Sequence, residues 1–266
     1  MSFWPVAKLT FRESVKERFF IGMLLVEVLL LFLSYYLSEL AAGDSVKVGM
    51  DFALAFYFFL TAIFAIMVPV STLFRDISDK FVYLILSKPI KRESYLVGKY
   101  FGSLMALALF LFASFFIVSV GVLGISHFAR LYVPHVIVVE RIFLLTLSLF
   151  FMGTLLSAFS TLFSILFTSQ TLATVVGFLL FLSGLELASV KELSLSSDYV
   201  SPFNKVLIKV LYYFFPNFSL YDLKAYAVHL QLSVSPLYFV LIVLYTLFYS
   251  CAVLLISTWF FTRREL

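Results

Sequence analysis

The stretch RDISDKFVYLILSKPIKRESYLVGKYFG, Arg75 to Gly102, separates two long apolar runs. It holds six of the chain's nineteen Lys and Arg residues: Arg75, Lys80, Lys88, Lys91, Arg92 and Lys99. A short loop this rich in cations is retained on the cytoplasmic side of a membrane. Ile77, Phe81, Leu84 and Ile85 recur at i, i+4, i+7 and i+8, which predicts a short helix with one apolar face and with Arg75, Asp76, Asp79 and Lys80 off that face. Pro89 ends it, because proline cannot continue the hydrogen-bond ladder and pushes Lys88 out of the helical region. On pattern alone two uses stay open for a helix held there. It is either a surface loop whose apolar face rests on lipid while its cations meet anionic headgroups, or a docking element for a soluble partner.

Composition makes the flanking runs membrane spans. Hydrophobic residues are 63% of the chain, charged residues 13%, and the mean hydropathy is +1.08. These values lie far from those of a soluble domain and define an all-α polytopic membrane protein. The net charge of +4 is accounted for by where the cations sit relative to the spans, so no nucleic-acid partner is expected. The single cysteine, Cys251, allows no disulfide within the chain and no CxxC metal knuckle.

Working outward, residues 2–18 predict an amphipathic interface helix. Ser2 is its expected N-cap and Pro5 lies in its first turn. Trp4, Ala7, Phe11 and Val15 share one face, and Lys8, Arg12 and Lys16, with Glu13 and Glu17, occupy the other. Six spans are expected at 19–38, 52–74, 100–125, 142–167, 171–190 and 237–262, each long enough for a hydrocarbon core of about 30 Å. A charged leader this long before the first run argues for a retained span, not a cleaved signal. Glu27 lies inside the first span, as a substrate or proton contact or as a hydrogen-bonded packing residue. Pro69 predicts a kink in the second span. Residues 126–141 are expected to form an external loop carrying His127 and His135, which read as solvated residues in preference to metal ligands. Gly177 and Gly184 predict close packing of the fifth span. The external segment 191–236 contains an apolar helix near 203–215, ending in Tyr212-Tyr213-Phe214-Phe215, expected to be interfacial or re-entrant and buried against protein. With both termini inside, cytoplasmic segments hold twelve Lys and Arg and external ones seven, which fixes the expected orientation.

Asp76, the run Leu86-Ser87-Lys88-Pro89-Ile90 with Arg92, and Gly98-Lys99 followed by Phe101-Gly102 resemble the signature loop of ABC-2 type ABC transporter permeases. That family usually has Glu where Asp76 stands. The run Phe215 to Lys224 (FPNFSLYDLK), with Val228-His229, resembles the Pro-Asn-(Leu/Phe) run of the same family's last external segment. The resemblance implies that residues 1–266 form one ABC-2 type transmembrane domain in a cytoplasmic (inner) membrane, with 75–99 as the cytoplasmic coupling loop between spans two and three. It implies that a separate nucleotide-binding ATPase docks on Arg75, Asp76, Asp79, Lys80, Phe81, Leu84, Ile85, Pro89 and Arg92, and that the N-terminal helix with Lys8, Arg12 and Lys16 also touches it. ATP and Mg would be bound by that partner, and this chain would bind no cofactor of its own. A second permease copy, identical or related, would complete the pathway, with Glu27, Phe215, Pro216 and Asn217 as candidate pathway residues.

No GxxxxGK[ST], HExxH or GxSxG run is present, so the chain is expected to be a transport subunit and not an enzyme. Two other classes remain open: an ATPase-docked scaffold or assembly factor without cargo, and a stand-alone secondary transporter, for which only Glu27 and Pro69 offer a hint.

Overall fold

The computed structural model describes residues 3–41, 45–78, 91–128, 135–196, 201–228 and 234–263. These are helical, with short turns and no strand among them. In chain order the helices are α1 (Trp4–Lys16), α2 (Arg18–Leu40), α3 (Ser45–Ser78), α4 (Arg92–Phe128), α5 (His135–Leu166), α6 (Gln170–Ser196), α7 (Pro202–Phe214), α8 (Lys224–Val228) and α9 (Pro236–Arg263), with a 3-10 turn at Phe218–Tyr221. Six of them, α2 to α6 and α9, are long and apolar enough to span a membrane, so this is an integral membrane protein.

Each apolar run expected as a span is found, and most helices continue beyond it. α3 begins at Ser45 and α4 at Arg92, where spans were expected from 52 and 100. Hydropathy marks only the length that sits in hydrocarbon, whereas the helical ladder continues for as long as packing or water satisfies its side chains. The external loop expected over 126–141 is largely replaced by helix, since α4 runs to Phe128 and α5 starts at His135. Arg141 is consequently inside the fold. It is buried, donates to the Tyr226 carbonyl at 2.6 Å and lies 4.5 Å from that ring's centre, so its charge is matched by protein.

α3 is the axis of the bundle, its middle being the most buried of the six spans. Phe64 on α3 stacks on Phe110 of α4 with centroids 4.4 Å apart, and Phe20 of α2 meets both rings edge-on. Further along α3, Phe58 packs on Phe181 of α6, which touches Phe218 of the 3-10 turn. Gly177 and Gly184 of α6 serve close packing, as expected. A Cβ at Gly177 would lie 2.9 Å from Ile66 Cγ2, and one at Gly184 would lie 2.4 Å from the Pro216 carbonyl oxygen.

Pro69 sits within α3 and has no N–H to give to the carbonyl four residues earlier, that of Ala65. Ser157 of α5 supplies the missing donor, its hydroxyl lying 3.1 Å from the Ala65 oxygen. In a bilayer such a carbonyl has no water to turn to, so the neighbouring span must satisfy it. Ser157→Ala is expected to destabilise the bundle by about 1–2 kcal/mol in a detergent unfolding titration. In Pro69→Ala, which restores the backbone donor, the same serine substitution should cost much less.

Candidate functional site

The densest set of charged side chains lies where α1, the end of α3 and the start of α4 meet. Lys99 and Asp76 are both almost fully buried, and the Lys99 Nζ is 2.6 Å from Asp76 Oδ2. The Tyr95 hydroxyl donates to the same carboxylate oxygen at 2.5 Å. Tyr95 and Lys99 are four residues apart on α4, so one helical turn sets both groups facing the last turns of α3. Arg75, next to Asp76, turns the other way and binds α1, through Glu13 at 3.2 Å and through Glu17. Glu13 also lies 3.7 Å from Lys99. Glu13 of α1 therefore binds both α3 and α4, and Glu17, between α1 and α2, binds α3.

Small residues make this approach possible. A Cβ on Gly98 would sit 2.8 Å from the Phe3 carbonyl oxygen, and one on Gly102 would sit 2.7 Å from that of Ala7. The two glycines share a face of α4 one turn apart and form a seat for α1. The seated face of α1 carries Val6, Ala7, Thr10 and Ser14, all buried. The Thr10 and Ser14 hydroxyls donate back to the carbonyls of Val6 and Thr10, so burial leaves them satisfied. Beneath the seat Val6, Leu73, Tyr95, Leu96, Ile165 and Phe261 form one small core. It joins α1 to α3, α4, α5 and α9.

The expected faces of α1 are redrawn accordingly. Ala7 is buried and Phe11 and Val15 are half-buried against the main core, but Trp4 is 48% exposed. Glu13 and Glu17, expected beside the lysines, instead point inward. Lys8, Arg12 and Lys16 are exposed as expected. Phe3 occupies the N-cap position and makes no side-chain cap bond.

Asp76, expected on the outer face of a surface helix, is interior and fully engaged. Arg92 opens α4 and is half-buried. Asp79, Lys80, Phe81, Leu84, Ile85 and Pro89, and with them the predicted coupling helix, lie outside the described residues. The side chains of His127 and His135 do too, and among the described residues no three His, Cys, Asp or Glu side chains gather in a metal-binding group.

At the other candidate positions the structure builds a buried turn. α7 is capped by Ser201 and ends at Phe215, after which Pro216 and Asn217 enter the bundle and are buried. The Asn217 side chain accepts from the Ser219 N–H and hydroxyl at 3.0 and 2.6 Å, which winds the 3-10 turn. The Asn217 backbone N–H donates to the Tyr245 hydroxyl of α9 at 2.9 Å. Tyr221 is fully buried between Thr246 of α9, at 2.7 Å from its hydroxyl, and Ser148 of α5, which donates to its carbonyl at 2.9 Å. Burial pushes its phenol above the ordinary range, so it remains a neutral hydrogen-bonding group. Phe215 packs at the core's edge.

α7 itself departs from expectation. None of its residues is buried, and Phe203, Val206, Leu207, Val210, Tyr213 and Phe214 form one exposed apolar face. The Pro-Asn run, not the helix before it, is what the protein covers.

Glu27 belongs to neither end. It is 2% exposed between α2 and α4, where the Ser114 hydroxyl donates to its Oε2 at 2.6 Å. This places it at a helix interface with its charge-bearing group away from lipid.

Searches against family models and curated proteins return no match.

Lys99→Met would leave Asp76 buried without its cation and is expected to cost about 3–5 kcal/mol, read as a large drop in melting temperature in detergent. Adding Asp76→Asn should recover most of that loss. Gly102→Val should unseat α1, measured as faster proteolysis between α1 and α2, with the spans still folded.

Proposed function

We propose that this chain is the membrane-spanning subunit of an ATP-driven transporter, an exporter, working in a cytoplasmic (inner) membrane with both termini in the cytoplasm. A separate nucleotide-binding ATPase, carrying the ATP and Mg, docks on residues 79–90, and a second permease copy completes the pathway. The observation that carries this proposal is the buried junction of Asp76, Tyr95 and Lys99 with Glu13, Glu17 and Arg75. Residues 79–90 connect the two helices that this junction locks together, and the small core beneath it reaches α5 and α9. A push on a loop with free ends would be absorbed by the loop. A push on a loop whose two roots are joined through an ion pair moves α3, α4 and α1 as one body.

In this scheme Asp76 positions the docking segment and does not itself touch the ATPase. Phe81, Leu84 and Ile85 supply the apolar contact. Spans α3 and α4 carry the displacement toward the buried turn at Pro216–Tyr221, which is held by hydrogen bonds to α5 and α9 and can be drawn out as those helices part. The chain contributes no group to ATP hydrolysis.

Purification of the tagged chain from its native membranes in a mild detergent should retain a Walker-motif ATPase, and Phe81→Asp should release it without lowering the chain's own melting temperature. Retention of the ATPase by Phe81→Asp, or its absence from the wild-type preparation, would overturn the assignment. Turnover of the retained ATPase that no cargo stimulates would favour an assembly role over export.

A further inference from the structure

The ion pairs at the junction sort the charges of α1. Glu13 and, just past the helix end, Glu17 are drawn inward to Arg75 and Lys99, and the three cations of α1, Lys8, Arg12 and Lys16, stay exposed on the opposite side. What the sequence presents as a helix of mixed charge is, once folded, a helix with a purely cationic outer face. Trp4 and Leu9, both more than one-third exposed, border that row.

We propose that this outer face binds anionic phospholipid headgroups of the leaflet at which α1 lies. Position argues for lipid. α1 ends at Lys16 and the first membrane span starts at Arg18, with one extended residue, Glu17, between them. The last cation of the row is therefore within a turn of the span, well inside the distance over which an anionic surface attracts a cation in physiological salt. Chemistry argues the same way. An exposed tryptophan next to lysines and an arginine suits the boundary between headgroups and acyl chains, where its ring is half in apolar surroundings and its N–H remains hydrated. An aqueous acidic protein surface would match the cations and leave Trp4 and Leu9 wet. The seat on Gly98 and Gly102 makes the row a fixed platform, so little conformational freedom is lost when lipid binds. This inference gives Lys8, Arg12 and Lys16 to lipid where the family resemblance implied an ATPase contact, and it stands whether or not an ATPase docks on residues 79–90.

The chain has two tryptophans, Trp4 and Trp259. Trp259→Phe protein is reconstituted in nanodiscs of equal parts phosphatidylcholine and phosphatidylglycerol, with the acyl chains of one lipid or the other brominated near the headgroup. Contact quenching of Trp4 then reports which lipid sits beside it. Brominated phosphatidylglycerol should quench at least about twofold more than brominated phosphatidylcholine. The excess should disappear in the triple variant Lys8→Gln, Arg12→Gln, Lys16→Gln and shrink in high salt. Equal quenching by both lipids would overturn the proposal. So would the lack of quenching by either, since Trp4 would then face water or be reserved for a soluble acidic protein. If Trp259→Phe does not fold, the difference between wild type and Trp4→Phe isolates the same signal.

Discussion

Asp76 and Lys99 are charged side chains at the end of an apolar bundle, and both are withdrawn from solvent. A carboxylate there is tolerable only beside a cation, and a buried ammonium only beside an anion, so each fixes where the other's helix must be. That constraint holds the end of α3 against the start of α4. Tyr95 adds a directional hydrogen bond that a simple charge pair lacks, and Arg75 extends the attachment to α1 through Glu13 and Glu17. The glycine seat and the small core below it depend on this arrangement, because α1 can press against Gly98 and Gly102 only if α4 stands where Asp76 puts it.

The two ends of the bundle are solved by different chemistry. At the junction full charges meet in pairs. At the buried turn neutral groups predominate beside the Asp222–Lys224 pair: Asn217 folds the turn on itself, Tyr221 bonds to Thr246 of α9, Tyr245 of α9 accepts from the Asn217 backbone N–H, and Gly184 makes room for the backbone. Hydrogen bonds between neutral groups are individually weaker than charge-assisted ones.

What the sequence displayed depended on whether a feature was local. The six spans were legible because about twenty apolar residues in a row have few other fates. Their ends were not, since polar residues such as Arg92 and Arg141 continue a helix when a tertiary partner accepts them, and that partner is far away in sequence. The N-terminal helix was legible from its period, but Glu13 and Glu17 looked like water-facing residues. Spacing cannot distinguish an acid that meets water from one that meets Arg75 on another helix. Gly98 and Gly102 were visible only as parts of a family-like motif, although their four-residue separation next to a helix rich in small residues was the available signal. In the segment 191–236, expected to be external, the aromatic run at Tyr212–Phe215 marked an amphipathic helix and carried no information about which side of it the protein would cover. Pro69 was legible as a perturbation, while its remedy, Ser157, was one serine among several on α5.

The hold on α1 has a consequence for how the chain is made. Arg75 lies 58 residues after Glu17 and 62 after Glu13, and the glycines that receive α1 come later still. When the first two spans have left the ribosome, the N-terminal helix has Arg75 but neither Lys99 nor its groove. It must wait on the surface of the bilayer until the third span is inserted, and only then can it close over the finished hairpin. Assembly at this end of the molecule is thus ordered by translation: α1 is made before α2, α3 and α4 and reaches its place only after them.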